Sequence, residues 1–236
     1  MTCQEVMTLL EAAGDEQTKK TLMKHGAREP FYGVKVAELK KILKKTKKDH
    51  ELSLKLYATG NSDAMYLAGL MADEKQITKA QLQEWVSAAY WSYLNEYTVP
   101  WVAAETEYGW ELALEWIASP DELVAAAGWS TLGSYAGTRD DAELDMTAYT
   151  KLLDQVAATI HTAPNRVRYT MNGFVIATGS YISELTAKAQ TIAAQIGKVS
   201  VDMPNGTACK VPLAKDYIQK VIDKDRVGKK RKSARC

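Results

Sequence analysis

A group of carboxylate and aromatic side chains lies between residues 93 and 107. It includes Glu96 and Glu105 as carboxylates and Tyr97 and Trp101 as aromatic residues. A carboxylate beside an aromatic wall can act as a general base or stabilise a developing cation, and the wall can stack on a base or sugar. The simpler interpretation is that the glutamates are solvated and that the aromatics, which recur on one helical face, pack in the core. We take these four residues as candidate catalytic residues.

Two arginines mark the start of a predicted helix. Arg166 and Arg168 follow the sequence Ala-Pro-Asn at 163–165. Basic residues at a helix N-terminus oppose the helix dipole, whereas the free backbone N–H groups there favour an anion. Either a phosphate ligand or a surface ion pair with Asp154 or another acid would account for them.

A dense lysine strip lies on the helix predicted within residues 30–48. Apolar residues at positions 36, 39, 42 and 43 form a buried stripe, and the opposite face carries Lys40, Lys41, Lys44 and Lys45. The strip is either a solvated helix face or a phosphate-binding surface. Basic residues also crowd the C-terminus, as Lys229, Lys230, Arg231, Lys232 and Arg235. Such a segment is either a solvated tail or a nucleic-acid arm.

The charge is unevenly distributed along the 236 residues, although the net charge is only +1. Residues 17–48 and 164–236 each carry a net charge of +9, whereas residues 1–16 carry −4 and residues 49–163 carry −13. Two basic regions suggest a polyanionic partner. The acidic middle argues against a uniformly basic groove.

Composition excludes several classes of protein. A hydrophobic content of 46% and a charged content of 25% are ordinary for a globular protein. We expect neither a membrane span nor a signal peptide, because long apolar runs and a basic leader are absent. The three cysteines and three histidines are scattered and have no zinc or disulfide spacing. We therefore predict a cytoplasmic protein that needs no metal or other cofactor.

Helical periodicity extends over almost the whole chain, which predicts an all-α fold. The helix over residues 93–106 is expected to be broken or kinked near Pro100. Residues 198–203 alternate briefly without a partner strand, so an extended loop is expected. The sequence Glu-Leu-Ser-Leu at 51–54 recurs as Glu-Leu-Ala-Leu at 111–114, and Ala-rich helices follow each of them. The small residues Gly69, Gly128 and Gly173 within helices predict close approach of neighbouring helices.

These repeated helix pairs predict HEAT-like repeats stacked in a curved superhelix, an α–α solenoid. We expect residues 1–225 to form one domain and residues 226–236 to form a basic C-terminal tail. Such solenoids commonly bind partners on their concave surface.

Three segments resemble the DNA alkylation repair (AlkD-like) family. They are FYGVKVAELKK at 31–41, GNSDA at 60–64 before a helix, and the helix over 167–173. The tail at 228–236 resembles one branch of that family. The resemblance implies HEAT-like repeats with a concave DNA-binding face. It also implies an activity, since active members remove N3- and N7-alkylated purines as monofunctional DNA glycosylases that rely on Trp, Asp and Arg side chains.

The catalytic residues implied by the resemblance are not matched here. The family's Trp-Asp-x-x-Asp segment falls on residues 96–100, which places Pro100 at the catalytic Asp position. Its arginine pair falls on Ala125 and Ala126, and a further Trp position falls near Gly173 and Phe174.

Three functions remain open. The first is an alkylpurine glycosylase in which Glu96 or Glu105, with Tyr97 or Trp101, replaces the usual set. The second is a non-catalytic monomer that binds the backbone of duplex or branched DNA. The third is a scaffold that binds proteins through its acidic middle. The predicted DNA contacts are Lys40, Lys41, Lys44, Lys45, Arg166, Arg168, Lys229, Lys230, Arg231 and Lys232.

Overall fold

A computed structural model describes residues 1–203 and 209–235, so Cys236 lies outside the described residues. Its helices are α1 (Cys3–Ala12), α2 (Glu16–Lys24), α3 (Val36–Thr46), α4 (His50–Tyr57), α5 (Ser62–Met71), α6 (Lys79–Ala88), α7 (Val99–Glu105), α8 (Gly109–Ile117), α9 (Glu122–Thr138), α10 (Met146–Thr159), α11 (Asn165–Tyr181), α12 (Thr186–Ile196) and α13 (Ala214–Asp223). A π-helical turn (Leu94–Thr98) precedes α7, and 3₁₀ turns span Asp141–Glu143 and Ser183–Leu185. The all-α prediction is confirmed, because no β-strand occurs within these two ranges.

The helices form two layers. Helices α5, α7, α9, α11 and α13 contact one another in that order and make an inner layer. An outer layer packs against it and consists of α4, α6, α8, α10 and α12. In this packing α4 contacts α5, α8 contacts α9 and α12 contacts α11. This is the predicted stack of HEAT-like helix pairs, and the inner layer is the one that forms the concave surface of such arrays.

Local sequence signals fix where the helices begin. Asn61 caps α5 by accepting hydrogen bonds from the backbone N–H groups of residues 63 and 64, and Asp121 caps α9 by the same geometry. Side-chain acceptors at this position satisfy N–H groups that have no partner within the helix. Helix α9 therefore begins at Glu122, two residues after Pro120.

The motif segments at 31–41 and 60–64 are joined by one buried side chain. The carboxylate of Asp63 accepts hydrogen bonds from the backbone N–H groups of Tyr32 at 2.6 Å, Gly33 at 3.0 Å and Val34 at 3.0 Å. Gly33 has a φ of 77°, a region that favours glycine. This contact holds the loop before α3 against the start of α5, so these motif residues shape the scaffold.

The expected distortion near Pro100 takes the form of the π-helical turn. The backbone N–H of Val99 bonds to the carbonyl of Leu94, five residues earlier instead of four. Proline lacks an N–H, and its ring crowds the preceding turn of a regular helix, so a widened turn directly before it relieves the conflict. Wide turns of this kind often occur at functional sites, and this one carries Glu96 and Tyr97.

The small-residue prediction is correct at two of its three positions. A Cβ added to Gly128 would lie 2.6 Å from the backbone nitrogen of Ile117, and one added to Gly69 would overlap the methyl group of Thr98. A Cβ added to Gly173 would meet nothing within 4 Å. The prediction is wrong for Gly173, because the face of α11 on which it lies is exposed rather than packed against a helix.

Candidate functional site

A buried ion pair joins the π-helical turn to α11. Glu96 is only 5% exposed, and Arg166 lies in the first turn of α11. The guanidinium donates from Nε to Oε1 and from Nη2 to Oε2, both at 2.6 Å. Bidentate pairs of this kind are among the strongest side-chain hydrogen bonds. The Arg166 guanidinium is thus paired inside the protein, whereas the sequence predicted it as a DNA contact.

The environment of Glu96 shifts its acidity. Burial raises the pKa of Glu96 to about 7, and this effect exceeds the opposing influence of the Arg166 guanidinium. The negative charge of Glu122 adds a smaller upward contribution to the pKa. When Glu96 is ionised, its charge is balanced by Arg166 at hydrogen-bonding distance.

The anion expected at the start of α11 is supplied by the protein itself. The Glu122 carboxylate accepts a hydrogen bond from the backbone N–H of Arg166, as an anion at a helix N-terminus should. Asp154, considered as a partner for these arginines, pairs with Lys188 instead. Arg168 donates to the carbonyl of Ala163 at 2.7 Å. The sequence signal at this helix is therefore explained by internal contacts.

An aromatic cleft of about 260 Å³ lies beside the ion pair. Its lining includes Glu96 and the rings of Tyr97, Trp101, Trp129, Tyr169, Phe174 and Tyr181. The predicted one-sided arrangement of aromatics is present, since the ring centroid of Tyr97 lies 5.6 Å from that of Trp101. We name this group the aromatic cleft. It brings three of the four candidate catalytic residues together.

Glu105 does not join the other three. Its Oε1 accepts hydrogen bonds from Ser233 Oγ and from the backbone N–H of Ala234, and its Oε2 lies 2.9 Å from Arg235 Nε. Ser233, Ala234 and Arg235 lie 128, 129 and 130 residues after Glu105 in the sequence. Glu105 therefore anchors the end of the chain, a role that its local sequence does not reveal.

The basic C-terminal segment packs against the helices. Residues 226–235, here called the strap, run along the inner layer, with hydrogen bonds from Gly228 N to Ser180 O at 2.9 Å and from Arg231 N to Gly137 O at 2.7 Å. Ala234 is completely buried. The segment is therefore not the free tail that the sequence suggested, because carboxylates and carbonyl groups of the helices accept hydrogen bonds from the strap.

The strap bases differ in their exposure. Lys230 pairs with Asp141 at 2.7 Å. Lys229, Arg231 and Lys232 are exposed, and Arg231 also lines the aromatic cleft. Three of the four predicted strap contacts are thus on the surface and free to meet a ligand.

The lysine strip of α3 is exposed as predicted. Lys40, Lys41, Lys44 and Lys45 all face solvent, and Lys41 pairs with Glu38 at 2.7 Å. Leu39 and Ile42 are buried on the opposite face of α3. The helix therefore presents a cationic surface.

A second cleft connects this helix to the strap. It has a volume of about 550 Å³ and is lined by residues of α3, α5, α7, α9 and the strap, including Lys48, Arg139, Lys232 and Arg235. We name it the strap cleft. No local sequence signal identifies Arg139, an isolated base in the acidic middle, because its neighbours in the cleft come from distant segments.

Comparison with known proteins agrees with this architecture. The family model described as DNA alkylation repair enzyme matches residues 6–189. The chain belongs to this family. Listeria monocytogenes protein Lmo0209, described as uncharacterized, is 35% identical over 226 residues, which cover 93% of this chain and 97% of that protein. Listeria innocua protein Lin0241, also described as uncharacterized, is 33% identical over 226 residues with the same coverage.

A solved structure extends the likeness to the whole chain. It has a TM-score of 0.92 and 39% sequence identity, and the match covers 100% of both chains. That structure is described as "a new family of proteins related to the HEAT-like repeat DNA glycosylases with affinity for branched DNA structures". The HEAT-like fold predicted from the repeats is confirmed. Among residues 1–203 and 209–235, no helix has the length and apolar character needed to cross a membrane.

Proposed function

We propose that this member of the DNA alkylation repair family binds branched DNA through its phosphate backbone and does not release bases. One observation carries the proposal. Both carboxylates that could stabilise a sugar cation, Glu96 and Glu105, are held in internal ion pairs with arginines. A carboxylate whose charge is already balanced stabilises a developing positive charge poorly, because the neighbouring cation opposes it.

The cationic surfaces support the binding part of the proposal. The lysines of α3 and the exposed bases of the strap belong to the two regions that each carry +9. Phosphate contacts from Lys and Arg dominate the affinity of proteins for DNA and make it salt-dependent. The similar structure with affinity for branched DNA favours a branched substrate over a linear duplex.

One observation favours a second candidate, base release. Glu96 lines the aromatic cleft, and a carboxyl group with a pKa of about 7 could transfer a proton near neutral pH. In that mechanism an aromatic ring of the cleft would contact the sugar or base while Glu96 served as the acid or base.

Two measurements separate these functions. Fluorescence anisotropy with a labelled four-way junction and a linear duplex of equal length is expected to show tighter binding to the junction. Affinity is also expected to fall steeply with salt. A double variant, Lys40→Gln with Lys44→Gln, should reduce the slope of log affinity against log salt by up to about 1.8, since each phosphate contact contributes about 0.9.

The control for that variant is Lys55→Gln, because Lys55 is exposed on α4 in the outer layer. Salt-independent binding, or none, would contradict the proposal. Base release is measured on DNA that contains 3-methyladenine and 7-methylguanine, with Glu96→Gln alongside wild type. Release by wild type that disappears in Glu96→Gln would establish the glycosylase and refute the non-catalytic role.

A further inference from the structure

The strap cleft has an excess of positive charge. Four basic side chains line it, namely Lys48, Arg139, Lys232 and Arg235, against the two acids Glu74 and Glu105. Its walls come from the end of α3, from the inner layer and from the strap. The cleft therefore has two more basic than acidic side chains, and this positive excess favours an anionic ligand.

Internal donors occupy both acids of the cleft. Glu105 accepts hydrogen bonds from Ser233 and Ala234 and pairs with Arg235. Glu74 pairs with Lys48 at 2.7 Å and with Arg235 at 3.2 Å. Because these carboxylates are neutralised by their own partners, they repel an incoming anion less than free carboxylates would.

The strap is held firmly enough to position a ligand contact. Arg235 Nη1 donates to the carbonyl of Ala72 at 2.6 Å, and the side chain of Arg235 is only 10% exposed. These contacts fix the backbone on the C-terminal side of Lys232, and the bond from Arg231 N to Gly137 O fixes it on the N-terminal side. Lys232 itself is exposed at the cleft.

A second cation lines the cleft at the end of α9. Arg139 donates from Nη2 to the carbonyl of Thr106 at 3.0 Å, and its guanidinium lies 5.1 Å from the ring centroid of Tyr135. Both contacts orient the side chain without neutralising its charge. The cleft thus combines a flexible ammonium from the strap with an oriented guanidinium from the scaffold.

We propose that the strap cleft binds a phosphate group of the DNA backbone, with Lys232 and Arg139 as its contacts. The inference rests on the proposed function, since it assigns one backbone phosphate to this cleft. A phosphodiester carries one negative charge, which suits a cleft with a small positive excess. Leu43 and Lys48 also line the cleft, so it continues the lysine surface of α3 and links it to the strap.

The test measures junction binding across salt concentrations for wild type, Lys232→Gln, Lys232→Arg and Lys55→Gln. Loss of one phosphate contact should lower the salt slope by about 0.9 and weaken binding by about 8-fold at ~0.1 M salt, as counterion release predicts. Lys232→Arg should retain the wild-type slope, because it keeps the charge. Lys55→Gln changes the net charge equally but lies outside the cleft.

The outcomes distinguish the two proposals. If wild type binds the junction and Lys232→Gln has the same slope and affinity as wild type, the cleft is not a phosphate site and the proposed function stands. An effect of Lys232→Gln no larger than that of Lys55→Gln leads to the same conclusion. If wild type shows no salt-dependent binding, the proposed function fails first and this inference fails with it.

Discussion

Alanine at two of the mid-helix glycines should change stability in opposite directions. Gly128 is buried in α9, and a Cβ there would lie 2.6 Å from Ile117 N and 2.8 Å from Ala113 O. These are backbone atoms, so α8 and α9 would have to separate. Overpacking costs about 1–3 kcal/mol, and two backbone atoms closer than 3 Å place this substitution in the upper part of that range, at about 2–3 kcal/mol. The higher helix propensity of Ala offsets at most about 1 kcal/mol of this cost.

Gly173→Ala is the matched control. The new methyl group would meet nothing within 4 Å, so only the propensity gain of about 0.5–1 kcal/mol remains. In a protein of this size about 1 kcal/mol shifts Tm by about 2–4 °C. We therefore expect Gly128→Ala to lower Tm by about 2–8 °C and Gly173→Ala to raise it by about 1–4 °C.

The assay is thermal and urea unfolding followed by far-UV circular dichroism, with wild type and both variants at one pH and salt concentration. A change in the urea midpoint without a change in slope would identify a stability effect. A Gly128→Ala variant as stable as wild type would contradict the prediction, because α8 and α9 would then not be in contact at this point. Destabilisation by Gly173→Ala would contradict the prediction equally.

Three further predictions test the polar contacts. Asp63→Ala should destabilise by about 3 kcal/mol in urea unfolding, since it leaves two buried N–H groups and one partly buried N–H group without their acceptor. A loss below about 1 kcal/mol would contradict that role. Burial raises the pKa of Glu96 from 4.5 to about 7. Protonation of Glu96 therefore stabilises the folded state. Its contribution to the free energy of unfolding, up to about 3 kcal/mol, is fully present below pH ~4.5 and is lost as the pH rises through 7. Unfolding from pH 5 to 8 should show this dependence in wild type and not in Glu96→Gln. Arg235→Gln should lower the free energy of unfolding by about 3 kcal/mol because it breaks partly buried ion pairs. Exposed Lys229→Gln should stay within about 0.5 kcal/mol of wild type. Equal effects of the two variants would argue against the strap contacts.

The sequence alone predicted the fold class and the distortion of the helix near Pro100. Helical periodicity and the break near Pro100 are local signals, since each depends on residues within about one turn of helix. The lysine face of α3 was also predictable, because the alternation of buried and exposed positions is set by the helical repeat. The repeated helix pairs predicted the HEAT-like stack, because each repeat is a local sequence pattern that recurs along the chain.

The partners of the charged residues were decided only by the tertiary structure. Arg166 and Glu96 are 70 residues apart in sequence, and Ala234 meets Glu105 across 129 residues. Periodicity shows whether a side chain is buried, but it does not show which distant charge lies beside it. The sequence therefore identified Glu96, Glu105 and Arg166 as unusual. Only the packing of the inner layer and the strap showed that Glu96 pairs with Arg166 and that Glu105 pairs with Arg235 of the strap. Ion pairs form between residues that are neighbours in space, whatever their separation in sequence.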